Sequence, residues 1–289
     1  MPSTELCIKT CPNLTGQLPG IHLPSLLVLT IAGCPQLVPS LPSTLQNVSI
    51  GDLFLKCLPL NTFPKLKQLL IVRCPNLEFL CAQEEPLENS TSISSAKIFE
   101  YPSLEELSLR HCPNLKSVHC FLPSLVKLNI DYCDELESFP GLGLPSFPAM
   151  GLSSKLESVY IRKCNTLFAG RKQWDLQRLP SLSSFSFSGC EEVESFPEED
   201  MLLPSTLTSL QISDLPHLKS LDVEGLQHLT SLRKFTINRC PKLQSMPQLG
   251  LLSSLSYLSI YACPLLVQKC QRETGEDWPK ISQIGRAHV

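Results

Sequence analysis

Residues 66–77 read Leu66-Lys67-Gln68-Leu69-Leu70-Ile71-Val72-Arg73-Cys74-Pro75-Asn76-Leu77, and the same phrase, Leu-x-x-Leu-x-Ile-x-x-Cys-Pro-x-Leu, recurs along the chain. Each part of it has a mechanical task. Leu69 and Ile71 alternate with Leu70 and Val72, a period of two that places the first pair on the inner side of a short strand and the second on its outer side. Leu66 and Leu77 fill the same core from the flanking turns. Cys74 stands where the strand bends into its return, a place that suits a small side chain tolerant of burial with a weak S–H donor. Pro75 fixes φ and brings no N–H, so the strand is predicted to stop there.

Further copies start at Leu26, Leu104, Leu125, Leu156, Leu182, Leu207, Leu232 and Leu255. With a weaker copy at Leu45 and a truncated one, Leu6-x-Ile8-x-x-Cys11-Pro12-x-Leu14, they make about eleven units. A unit of this size cannot bury a core alone, so neighbours must stack. Starts are mostly spaced in the twenties, matching the roughly 20–29-residue period of leucine-rich repeats and too short for longer helical or propeller arrays. The predicted fold is an α/β solenoid, a leucine-rich-repeat horseshoe with a parallel concave β-sheet. Return segments such as Leu23-Pro24-Ser25, Leu122-Pro123-Ser124 and Leu203-Pro204-Ser205 disfavour long helices and predict mostly extended or 3₁₀ convex returns. With about 4.8 Å between strands, the sheet should be on the order of 50 Å long.

The long interval between Leu66 and Leu104 contains a polar, aperiodic stretch and reads as a loop inserted at about 82–98. The solenoid is expected over 1–266. Residues 267–289, a charged, turn-rich tail with Trp278, are expected to cap its last unit. The other end opens inside a repeat, with Leu6 and Ile8 already in a strand, and reads as a cut from a longer solenoid.

The 289 residues carry a net charge of −3 and a sequence pI of about 6.1, which disfavours nucleic acid and anionic membranes as partners, since both demand clustered positive charge. No apolar run approaches the roughly 18–20 residues of a spanning helix, and Met1-Pro2-Ser3-Thr4-Glu5 lacks the regions of a signal peptide, so a cytoplasmic protein is expected. Fourteen cysteines would imply a disulfide framework in a small secreted protein. Here they recur at one position of a repeat and read as reduced, inert packing residues.

At this point the sequence resembles a family: the leucine-rich-repeat region of plant coiled-coil-type nucleotide-binding disease-resistance proteins. The resemblance covers essentially the whole chain. It rests on the repeated Leu-x-Ile-x-x-Cys-Pro-x-Leu with Cys where other classes carry Asn, on the irregular repeat lengths, and on the ending Cys263-Pro264-Leu265-Leu266 through Gly275-Glu276-Asp277-Trp278-Pro279-Lys280-Ile281. It implies the sensor half of an intracellular immune receptor, which restrains a nucleotide-binding switch at rest and recognises a pathogen effector or a guarded host protein. The switch itself needs a phosphate loop reading Gly-x-x-x-x-Gly-Lys-Ser/Thr. No Gly-Lys pair occurs here, so nucleotide binding is not carried over.

Recognition would fall to the outward strand positions, whose last two columns read Val72-Arg73, Arg110-His111, Asp131-Tyr132, Arg162-Lys163, Ser188-Gly189, Ser213-Asp214, Asn238-Arg239 and Tyr261-Ala262. Arginine and aromatic side chains most often supply interface hot spots. The candidate protein-binding residues are therefore Arg73, Arg110, His111, Tyr132, Tyr160, Arg162, Lys163, Arg239 and Tyr261. Basic Lys67, Arg73, Arg110, Lys127, Arg162, Lys163, Arg233, Lys234 and Arg239 outnumber acidic Asp52, Glu105, Glu106, Asp131, Glu157 and Asp214, nine to six. This mildly positive face predicts a partner with an acidic patch. For any one residue the alternative is a solvated sheet face whose charges keep the solenoid soluble.

His111-Cys112, His119-Cys120 and Cys7-x-x-x-Cys11 lack the spacing of paired metal knuckles, so no metal or cofactor is expected. The six histidines sit in no nucleophile motif and no Gly-x-Ser-x-Gly occurs. Paired acids such as Glu105-Glu106 and Glu191-Glu192 fall on solvent-facing positions or turns, so the chain is not expected to be an enzyme. Sequons at Asn13, Asn47 and Asn89 read as coincidence without a signal peptide. The alternative function is a free-standing repeat adaptor, such as a substrate-recruiting subunit, which would need no switch domain.

Overall fold

The computed structural model describes residues 4–17, 25–38, 42–58, 63–80, 99–118, 120–137, 154–171, 174–198, 201–247 and 254–289. The loop expected at about 82–98, the Asn89 sequon, His22 and His119 lie outside the described residues. The chain forms two compact units, Met1–Ser153 and Ser154–Val289.

In the first unit, β1 (Glu5–Lys9), β2 (Val28–Ala32), β3 (Asn47–Gly51), β4 (Gln68–Val72), β5 (Glu106–Arg110) and β6 (Lys127–Asp131) pair in parallel in chain order. The second unit repeats the plan with β7 (Ser158–Arg162), β8 (Ser184–Ser188), β9 (Ser209–Ser213), β10 (Lys234–Asn238) and β11 (Tyr257–Tyr261). These eleven five-residue strands coincide with the eleven copies of the phrase. Within each unit the register never slips, because a one-residue slip would turn the apolar set out to solvent. Leu29, Val48, Leu69, Leu107 and Leu128 thus line up as one buried row, and Ile31, Ile50, Ile71, Leu109 and Ile130 as a second. In the second unit Phe185 and Phe187 enter these rows and meet Phe168, Trp174 and Phe196 from the returns, with Phe168 and Phe187 centroids 4.8 Å apart. Each such buried side chain contributes about 1.5–3 kcal/mol relative to its exposed state.

The corner that ends each strand differs from the sequence expectation. Two residues separate the end of each strand from the proline position, and the first of them adopts a left-handed backbone: Thr10, Gly33, Asp52, Arg73, His111, Tyr132, Lys163, Gly189, Asp214, Arg239 and Ala262, with φ from 47° to 79°. Left-handed geometry costs an L-residue roughly 1–2 kcal/mol. Here it turns the chain while its N–H extends the ladder by one bond, as in Thr10 N–H to Ala32 O (2.9 Å), His111 N–H to Asp131 O (2.8 Å) and Arg239 N–H to Tyr261 O (2.9 Å). The next residue, usually Cys, donates its S–H to the carbonyl two residues back, from Cys164 to Arg162 O at 3.2 Å to Cys133 to Asp131 O at 3.7 Å. Proline then occupies the second position of a β-turn closed by Leu N–H to Cys O, for example Leu37 to Cys34 at 3.0 Å and Leu115 to Cys112 at 3.2 Å, a position where its fixed φ is an advantage.

The returns are mainly extended, with two-residue bridges such as Cys57–Leu58 to Phe79–Leu80 and Ser195–Phe196 to Ser220–Leu221. Short helical turns occur at α1 (Asn165–Ala169), Leu176–Arg178 and α2 (Val223–Leu226). After β11 come α3 (Pro264–Lys269), with Pro264 opening the helix as proline suits, and α4 (Trp278–Ile281). A three-residue strand, β12 (Arg286–His288), then pairs in parallel with β11. The apolar pattern gave no sign of it, because only Ala287 meets the Leu258 row. Ile281, Ile284 and Cys270 are buried, while Trp278 is half-buried. The Asp277 carboxylate accepts the Met246 N–H (2.9 Å) and pairs with Lys280 (2.6 Å), whose ammonium also donates to Met246 O (3.1 Å).

Candidate functional site

Strand alternation leaves three outward columns on each sheet, with the corner column beside them. In the first unit the middle column holds Thr30, Ser49, Leu70, Ser108 and Asn129, and the last column Ala32, Gly51, Val72, Arg110 and Asp131. Small side chains at β2 and β3 leave an open groove of about 310 Å³ lined by Val28, Thr30, Asn47, Ser49, Leu70 and Arg110 among others. In the second unit the middle column runs Tyr160, Ser186, Gln211, Thr236 and Ser259, and the last Arg162, Ser188, Ser213, Asn238 and Tyr261.

The nine candidate residues fall into recognisable positions. Arg110, Arg162 and Tyr261 end their strands, Tyr160 lies mid-strand, and Arg73, His111, Tyr132, Lys163 and Arg239 occupy the left-handed corner. Corner residues of successive repeats touch. Arg73 grips Asp52 with two hydrogen bonds, Nε to Oδ1 at 2.7 Å and NH2 to Oδ2 at 3.0 Å. His111 stacks on Tyr132 with centroids 4.6 Å apart and planes 14° from parallel. Arg239 grips Asp214 in the same two-pronged way, 2.5 and 2.9 Å, and Ser188 donates to that carboxylate at 3.1 Å. The stem of Lys163 lies over Gly189, where a Cβ would stand 2.4 Å from Lys163 Cγ. Arg110 is exposed and donates to Ser108 Oγ (3.1 Å), and Tyr261 is 68% exposed.

Sequence reading did not foresee that Arg73 and Arg239 are held by carboxylates. The signal was there: Asp52 precedes Arg73, and Asp214 precedes Arg239, at the same repeat position one repeat earlier. Lys127 likewise pairs with Glu106 at 2.6 Å. Hydrogen bonding from Arg73 holds the Asp52 carboxyl below the usual carboxylate range against the opposing effect of its partial burial. Asp214 is held down in the same way by Arg239, with Ser188 and the charge of Arg162 acting in the same direction and burial opposing them. These pairs present fixed hydrogen-bonding edges more than loose charge.

The thiols beneath the corners are packed away from solvent. Cys34, Cys74, Cys112, Cys133, Cys164, Cys190, Cys240 and Cys263 are buried and unbridged. Cys112 is pushed up to about 12, first by its hydrogen bond with Cys133 and further by burial, with the Cys74 contact opposing. Burial pushes Cys270 to about 12. In the adjoining Cys240 and Cys263 pair the shared hydrogen bond pulls Cys263 down and Cys240 up, and the Cys240 N–H points at Cys263 Sγ at 3.3 Å. Among the described residues no group of three His, Cys, Asp or Glu side chains is placed to hold a metal ion, and no helix is long and apolar enough to cross a membrane.

No protein-family model matches the chain. Curated relatives do match. The disease-resistance protein candidate At3g14460 of Arabidopsis thaliana is 32% identical over 288 residues, 91% of this chain and 20% of that protein. An RPP13-like disease-resistance protein candidate of the same plant is 26% identical over 60% of this chain and 14% of its own length. TMV resistance protein N of Nicotiana glutinosa is 28% identical over 42% of this chain and 13% of its own. The chain therefore spans about a fifth or less of the length of these relatives. Among solved structures, the leucine-rich-repeat domain of the type III effector XopL superposes with a TM-score of 0.49 and 21% identity, over 91% of this chain and 77% of that one. The repeated phrase, the in-register parallel strands and these relatives agree: the chain is a leucine-rich-repeat solenoid homologous to plant disease-resistance proteins.

Proposed function

We propose that this chain is the protein-interaction and sensor region of an intracellular plant immune receptor. It recognises a pathogen effector or a guarded host protein through the outward columns of its sheets and restrains a nucleotide-binding switch whose phosphate-loop pattern this sequence does not contain. It acts by binding in the cytoplasm and not by catalysis. The observation that carries the reading is the corner and last-strand columns of a disease-resistance homologue, where arginine stands with histidine and tyrosine on the outward face of the first unit and with tyrosine on that of the second. Side chains fixed by their neighbours lose less freedom on binding, which favours affinity.

Restraint and recognition then follow from one thermodynamic rule. A partner that binds the released arrangement better than the restrained one shifts the population by its differential affinity, and moving a switch from 1:99 to 99:1 needs about 5.5 kcal/mol of it. A few hot-spot residues supply energies of that order. The experiment is alanine substitution of Arg110, Tyr160 and Tyr261 in the receptor that carries this region, scored for resting activity and for the response to a matching effector. Loss of the response with normal protein accumulation supports the reading. An unchanged response in all three overturns the assignment of the face. Sequencing the transcript upstream adds a second arm, because a phosphate loop in frame is required by the receptor and absent from a free-standing adaptor.

A further inference from the structure

The outward face of the first unit carries aliphatic side chains where that of the second carries none. Val28 and Ala32 on β2 and Leu70 and Val72 on β4 all point outward and are half-buried. The outward positions of β7 to β11 hold only Ser, Thr, Asn, Gln, Tyr, Lys and Arg. Between the two aliphatic strands, β3 presents Asn47, Ser49 and Gly51. Short side chains between aliphatic ridges leave the open groove of about 310 Å³, whose lining includes Val28, Ser49 and Leu70. A lone outward valine needs no explanation beyond its preference for strands. Four aliphatic side chains gathered on both sides of a groove do, because contiguous exposed apolar surface marks binding.

On the β5 side the lining turns polar, with Glu106, Ser108 and Arg110. The Glu106 carboxylate is already taken by Lys127 at 2.6 Å. Arg110 is exposed and its Nε donates to Ser108 Oγ at 3.1 Å. Among the described residues no carboxylate pairs with it, although Asp131 is its register partner on β6. The two terminal nitrogens of its guanidinium form the edge that grips a carboxylate with two parallel hydrogen bonds.

We propose that this groove receives a protruding segment of the protein partner that carries an apolar side chain and, two residues on, a carboxylate. The apolar side chain lies over Ser49 between Val28 and Leu70, and the carboxylate meets Arg110. The spacing follows from the sheet. Neighbouring strands lie about 4.8 Å apart, which puts β5 roughly 5–10 Å from the floor, and alternate residues of an extended segment stand about 6.6 Å apart on one side. The volume is near the lower end for ligand pockets, about 300 Å³, and takes one large side chain. An open groove does not enclose a small molecule, whereas a protein presents the anchor and makes its other contacts elsewhere on the face. This rests on the reading of the outward face as protein-binding and adds the place and chemistry of one anchor.

The test is an array of octapeptides, Gly-Ser-X-Ser-Z-Ser-Gly-Ser, with X and Z each varied through the natural amino acids and probed with the fluorescently labelled full chain. Bound signal should concentrate where X is Leu, Ile, Met or Phe and Z is Asp or Glu. The best of these, measured by fluorescence anisotropy, should bind at least tenfold tighter than its relatives with Ser at X or Lys at Z. Arg110→Glu should move the preference at Z to Lys and Arg while keeping that at X, a reversal that no merely structural role for Arg110 produces. Ser49→Trp, which fills the floor, should abolish binding. Leu70→Ser, which lowers one wall by an outward side chain, should weaken it about tenfold.

A signal without preference at X or Z, no binding up to about 1 mM, the edge of measurable affinity, or an Arg110→Glu chain that keeps the acidic preference overturns the proposal. So does a dimer of the full chain in sedimentation that Ser49→Trp dissolves, which would give the groove to a second copy. In each of those cases a response altered by Tyr261→Ala in the receptor would leave the sensor reading standing and remove only the groove.

Discussion

Ala262 isolates the backbone of the corner from every side-chain contact. It has φ of 53° and is exposed, so its methyl group contributes almost nothing to packing. Ala262→Gly releases the left-handed penalty of roughly 1–2 kcal/mol and returns about 0.4–1 kcal/mol through the freer unfolded chain. The net is a stabilisation on the order of 1 kcal/mol. Ala262→Val puts a β-branched side chain into the same backbone and destabilises by about 1 kcal/mol or more. Urea denaturation of the full chain reads both: with an m-value of about 3 kcal/mol per molar, glycine raises the midpoint by about 0.3 M and valine lowers it by at least as much. A midpoint lowered by glycine, or unmoved by valine, would show that the corner is not under the strain assigned to it.

Three further outcomes follow from the same geometry. Asp52 and Asp214 titrate below the ordinary carboxylate range, so their pairs contribute stability above the unfolded value near 3.9 that is lost as pH falls through the lower folded values. A variant with both as Asn should be less stable than the parent at pH 7, with the difference closing in acid, and a gap independent of pH refutes the linkage. Iodoacetamide at pH 8 should modify the exposed Cys7 first and leave buried Cys263 untouched despite its lowered pKa, because access limits the reaction; early labelling of Cys263 by mass spectrometry contradicts this. Asp277→Ala leaves the Met246 N–H without its acceptor and Lys280 with only the Met246 carbonyl, at a cost of about 1–3 kcal/mol, and should speed trypsin cleavage after Lys269 and Arg272; unchanged cleavage argues against the pin.

Much of the fold was written in the phrase itself. The period-two pair announces the inward rows, and the flanking leucines Leu66 and Leu77 are buried as expected. Even the copies at Leu45 and Leu207, where Leu53 and Leu215 replace cysteine, obey it, because the position asks for burial and both residues are fully enclosed. The left-handed corner was legible only in part: Gly33, Gly189, Asp52, Asp214 and His111 are residue types that accept positive φ, whereas Arg and Lys are not, and Arg73, Lys163 and Arg239 each make a ladder bond to the next strand from that backbone. The grip of Arg73 on Asp52, 21 residues apart, looks like scattered charge until the register is known. The groove depends on Thr30, Ser49 and Leu70 lining up across three strands, which no single repeat displays.

The central claim is that the outward face of these repeats governs a receptor by binding protein. Its most direct measurement is reversal of Arg162 and Lys163 to glutamate in the receptor that carries this region, expressed transiently in leaf tissue and scored for cell death with and without effector. The account predicts a changed resting state or a lost response at unchanged protein level. Normal restraint together with a normal response would contradict it.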